Sequence, residues 1–82
     1  MSQLQDVLQL ADERARRGVT LEQIRESTKI GLFFLRAIED GEYHKLPGGI
    51  YSTSYIRQYA QAAGFDESML LQKYRQHTQV DA

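Results

Sequence analysis

The stretch GVTLEQIRESTKIGLFFLRAIEDG, Gly18 to Gly41, constrains this chain more than any other. Thr20 supplies an N-cap hydroxyl, and Gln23 three residues on completes a capping box in TLEQ. Leu21 and Ile24 are then expected to face inward on a short helix. STKIG forms the turn, and the next helix runs to about Asp40, where Gly41 stops it. Two short helices joined by a tight turn and packed on a preceding one make a helix-turn-helix.

The rest of the chain is helical in pattern. Leu4, Val7, Leu8, Ala11 and Ala15 form an amphipathic stripe over residues 3–17, which Gly18 ends. EYHKLPGG is a loop by its proline and glycines. A fourth helix is expected from about Ile50 to Ala63, ending at Gly64. Asp66 is the N-cap of a fifth, which carries Met69, Leu70, Leu71 and Tyr74. The fold class expected is all-α, a five-helix bundle containing a helix-turn-helix. With 82 residues there is room for one core. The expectation is a single domain over residues 1–78, with a frayed tail at 79–82. Leu8, Ala11, Ile24, Phe34, Leu35, Ile38 and Ile56 are the expected core.

Several function classes find no support. The chain has no cysteine, so a disulfide or a zinc-thiolate site is excluded. His44 and His77 lie far apart, in a loop and a tail, without further ligands at close spacing. Ser52, Thr53 and Ser54 have no base placed by any motif to activate them. Gly48-Gly49 lacks the lysine and the preceding strand of a phosphate-binding loop. No enzyme, metal or cofactor is expected. The net charge of −1 gives no support for DNA binding, which rests on lysines and arginines that neutralise phosphates. No apolar run approaches a membrane-spanning length. A soluble, cytoplasmic domain without membrane contact of its own is expected, held at the inner face of the membrane if it belongs to a longer anchored parent.

At about 100° per residue, the third helix gathers Phe34, Leu35 and Ile38 on one side. Opposite lie Phe33, Arg36 and Asp40, with Leu32 on the flank beside Glu39. Bases are read by polar and basic side chains, and this outer face offers Arg36 alone. Three readings of Phe33 stand open: it is covered by the 42–48 loop or the fourth helix, it faces a protein partner, or its helix reads bases with Lys29 and Arg36. On the fourth helix Tyr51, Tyr55 and Tyr59 recur at i, i+4 and i+8 as one drifting stripe. Ile56, Ala60 and Ala63 mark its buried side. Tyr59 is nearest the core, Tyr55 intermediate and Tyr51 the most exposed, while Arg57 is solvated. All three tyrosines, with Phe33, are candidate partner-binding residues.

The run TLEQIRESTKI…FLRAIEDGEYHKLPGGIYSTSYIRQYAQAAGFD resembles the N-terminal cytoplasmic domains of the RodZ family of bacterial cell-shape proteins. The matching elements are Leu21-Glu22, Thr28-Lys29-Ile30, the segment from Phe34 to Gly41, Leu46-Pro47-Gly48, Tyr51, Tyr55, Tyr59-Ala60 and Gly64-Phe65. The resemblance covers roughly residues 4–72. It implies a Cro/repressor-like fold and, as partner, the actin-like filament protein MreB, contacted through the fourth-helix region. Gly31-Leu32 departs from the family pattern, in which an Arg or Ser leads into a proline. The other class of function is a sequence-specific DNA-binding regulator of the helix-turn-helix class.

Overall fold

Capping residues mark the start of the second helix and the ends of the second, third and fourth in this computed structural model. Residues 3–79 are described, with side chains from Leu10 to His77. They form α1 (Gln3–Arg16), α2 (Leu21–Thr28), α3 (Leu32–Glu39), α4 (Gly49–Ala63) and α5 (Glu67–Gln79). Between α3 and α4 the loop contains one 3-10 turn, Tyr43–Lys45. No strand occurs among the described residues.

The box at the start of α2 is reciprocal. The Gln23 N–H donates to Thr20 Oγ1 at 3.1 Å, and the Thr20 N–H donates to Gln23 Oε1 at 2.9 Å. α2 ends on Lys29, whose N–H donates to the Arg25 carbonyl at 2.7 Å and whose left-handed backbone (φ 65°) then turns the chain out of the helix. Thr28 Oγ1 tightens the turn by accepting from the Ile30 N–H at 3.1 Å while donating to the Ile24 carbonyl at 2.7 Å. Ile30 is thereby pressed into the core. Gly41 and Gly64 close α3 and α4 with positive φ. Asp66 Oδ1 accepts from the Ser68 N–H at 3.0 Å at the start of α5.

The core lies where α2, α3, α4 and α5 meet. Ile24, Leu35, Ile38, Ile56, Tyr59 and Leu70 are its fully buried large side chains. Ile24, Leu35, Ile38 and Ile56 are where the sequence pattern puts them. Ala11 and Phe34 differ: both are half-buried, and Phe34 packs at the margin of the core. On α1 the inward face is turned from the expected stripe. Leu10 is buried and Arg14 half-buried, while Ala15 is exposed. The cause is Glu39, buried on α3, which draws Arg14 inward. The side chains of Leu4, Val7 and Leu8 lie outside the described residues. On α5 Leu70 and Leu71 are buried and Met69 is exposed. Of the expected tail at 79–82, Gln79 is the last residue of α5, and residues 80–82 lie outside the described residues.

Candidate partner-binding surface

Two helices carry the surface, and the Tyr59–Glu39 hydrogen bond joins them beside a buried ion pair. Glu39, at the end of α3, is 4% exposed. Arg14 of α1 grips it with Nε on Oε2 and Nη2 on Oε1. The Tyr59 hydroxyl of α4 donates to the same Oε2 at 2.8 Å. Arg14 Nη1 also donates to the Val19 carbonyl at 2.9 Å, which ties in the α1–α2 connection. The hydrogen bond to Glu39 is the main cause that holds the Arg14 guanidinium above its ordinary pKa. Burial, reinforced by the Glu39 charge, pushes the Tyr59 phenol far up. No buried side-chain N or O atom among the described residues lacks a partner.

With α3 and α4 fixed in this way, their outer edges present an aromatic line. The Phe33 and Phe34 rings meet edge to face at 5.3 Å between centroids. Phe34 meets Tyr55 of α4 at 5.5 Å, tilted by 57°. Tyr51 lies one turn before Tyr55 on the same helix. Phe33 is 61% exposed and Tyr51 62%. Tyr55 and Phe34 are half-buried and join the two. The 42–48 loop leaves Phe33 open, although Lys45 Nζ approaches its ring centroid at 5.9 Å. Tyr59 is corrected from partner-binding candidate to core residue, because it is fully buried and its hydroxyl is spent on Glu39.

On its other side Phe33 borders a shallow groove, which Leu32, Arg36 and Ala37 of α3 and its cap residue Asp40 line together with Glu42 and Lys45. Lys45 and Glu42 pair at 2.8 Å across one turn. That hydrogen bond lowers the Glu42 pKa. Arg36 and Asp40 are exposed and one helical turn apart. Neither makes an ion pair among the described residues.

The residues of the DNA alternative are not brought into one basic patch. Lys29 caps α2 and leans towards Glu26 at 4.0 Å. Arg36 shares its face with Phe33 and Asp40, whose charge opposes a phosphate. Sequence reasoning gave no surface role to Ile50, which is 79% exposed at the start of α4. The helical wheel carries the signal for it, placing Ile50 with Arg57 and Gln61 on the side away from Ile56. The described residues hold no group of three or more His, Cys, Asp or Glu arranged for a metal. No described helix is long and apolar enough to cross a membrane.

Comparisons with known proteins agree with this architecture. A family model described as "Helix-turn-helix domain" matches residues 9–70. The chain is 35% identical over 57 residues to the "Uncharacterized membrane protein YmfM" of Bacillus subtilis, covering 70% of this chain and 20% of the relative. It is 33% identical over 69 residues to the "Cytoskeleton protein RodZ" of Streptococcus pneumoniae, covering 84% of this chain and 24% of the relative. The chain thus spans about a fifth to a quarter of the curated relatives it matches. No solved structure matches it. The chain belongs to the helix-turn-helix domain family and, within it, is a RodZ-like domain.

Proposed function

We propose that this domain is the non-enzymatic interaction module of a RodZ-like cell-shape protein and binds an actin-like filament protein of the MreB type. One observation carries the reading: on the outer face of α3, where a DNA reader presents polar side chains, this chain exposes Phe33, and Phe34, Tyr55 and Tyr51 continue the aromatic surface onto α4. Exposed aromatics are enriched among the residues that dominate protein–protein binding energy. The name of the pneumococcal relative points to the cytoskeleton as the kind of partner, and that of the Bacillus relative to a membrane. In this reading the domain works in the cytoplasm at the inner face of the membrane, and a remainder outside this chain supplies the anchor.

The test is co-sedimentation of the domain with filaments of the MreB-type protein from the same organism, beside a titration with duplex DNA. Saturable co-sedimentation is expected, with DNA binding no tighter than the non-specific range of roughly 10⁻⁴–10⁻⁶ M. Failure to co-sediment, or sub-micromolar sequence-dependent DNA binding, would overturn the proposal in favour of a transcriptional regulator.

A further inference from the structure

The groove beside Phe33 carries an inference that rests on this reading and specifies the partner's chemistry. Three observations define it. The outer flank of Phe33 supplies an apolar wall. Lys45 is neutralised within the groove by Glu42 at 2.8 Å. Arg36 and Asp40 stand one turn apart and exposed, yet unpaired among the described residues. The groove's uncommitted charges are therefore one guanidinium and one carboxylate beside an aromatic ring.

We propose that this groove receives a segment of the protein partner that sets a single carboxylate against Arg36 and an apolar side chain against Phe33. A guanidinium is built to take a carboxylate through two parallel hydrogen bonds, which favours a planar acid over a diffuse field of charge. A polyanion fits poorly. Each phosphate of a nucleic acid, or each headgroup of an anionic lipid surface, brings like-charged neighbours, and here those neighbours would meet the unpaired carboxylate of Asp40. A protein surface can offer one acid and leave apolar, polar or basic groups around it. Phe33 is common to both features, so the groove extends the aromatic line of Tyr51, Tyr55 and Phe34 into one continuous interface.

The experiment is filament co-sedimentation with Arg36→Glu, Arg57→Glu and Tyr55→Ala, each checked by thermal melting. Arg57 is the charge control: it is exposed on α4 and pairs with Glu67 at 3.2 Å, away from the groove. Arg36→Glu and Arg57→Glu change the net charge equally. Arg36→Glu is expected to weaken binding at least tenfold with its melting temperature unchanged, and Arg57→Glu to stay within twofold of the parent. Recovery of binding to Arg36→Glu by an acid-to-lysine change in the partner would identify the facing carboxylate. Normal binding by Arg36→Glu, with binding by Tyr55→Ala reduced, overturns the groove assignment and leaves the aromatic face standing. Equal losses in the two arginine variants overturn it as a general charge effect. Normal binding by both Arg36→Glu and Tyr55→Ala overturns the groove and the aromatic face together.

Discussion

The Tyr59 hydroxyl donates a 2.8 Å hydrogen bond to Glu39 Oε2, joining the middle of α4 to the end of α3. Arg14 completes the arrangement from α1, so one buried carboxylate fastens three helices. Replacing a whole buried ion pair by apolar groups is often neutral, whereas removing one partner strands a charge.

Arg14→Ala, which leaves Glu39 buried without its cation, should destabilise the domain by about 3–5 kcal/mol. Tyr59→Phe, which removes one hydrogen bond to a charged group, should cost about 1.5–3 kcal/mol. Urea titrations of the two variants check the order. A smaller loss in Arg14→Ala than in Tyr59→Phe would show that the ion pair is not the principal fastening.

The same tyrosine predicts an alkaline limit. Burial raises the phenol pKa of Tyr59 far above its ordinary value, and that of Tyr43 also rises by burial. The folded state therefore holds these protons more tightly than the unfolded chain. The corresponding stability is fully present below the unfolded phenol pKa of about 10 and is lost as pH rises beyond it. Melting temperatures should be insensitive to tyrosine ionisation up to roughly pH 9 and fall above pH 10. Tyr59→Phe should fall less steeply; an identical slope in the variant would remove Tyr59 as the cause.

Lys29 closes α2 in a left-handed conformation, φ 65° and ψ 16°, that glycine adopts without its steric cost. Its exposed ammonium reaches Glu26 only at 4.0 Å, so little is lost with the side chain. Lys29→Gly should stabilise the domain by about 0.5–1 kcal/mol, after the greater entropy of glycine in the unfolded chain is set against the relief of strain. Chemical denaturation measures it, and a loss of stability would mean that the Lys29 side chain contributes more than its exposure suggests.

Local chemistry was legible in the sequence, and long-range pairing was not. TLEQ, Gly41 and Gly64 gave the limits of α2, α3 and α4 because caps are made within a few residues. The outward direction of Phe33 followed from helical geometry alone. Arg14 and Glu39 are 25 positions apart and belong to types normally left in water. Helical periodicity therefore put Ala15 on the inward face of α1, where the structure leaves it exposed, with Leu10 buried and Arg14 half-buried. Tyr59 could be placed near the core, but its partner Glu39 looked like a flank residue. Phe34 was assigned to the core face and serves the surface as well, since a half-buried ring leaves an edge for a neighbour.

The central claim is that the aromatic line on α3 and α4 is a binding surface rather than exposed packing. Filament affinity of Tyr51→Ala and Phe33→Ala, read by co-sedimentation beside thermal melts with Ile38→Ala as the core control, tests it most directly. Ile38 is fully buried, and its truncation should cost about 2–5 kcal/mol of stability. Tyr51 and Phe33 are more than half exposed. Their truncation should leave stability within about 0.5 kcal/mol of the parent, yet cost about 2 kcal/mol of binding, roughly thirtyfold in affinity. Parental affinity in both aromatic variants, or melting as early as that of Ile38→Ala, would contradict the account.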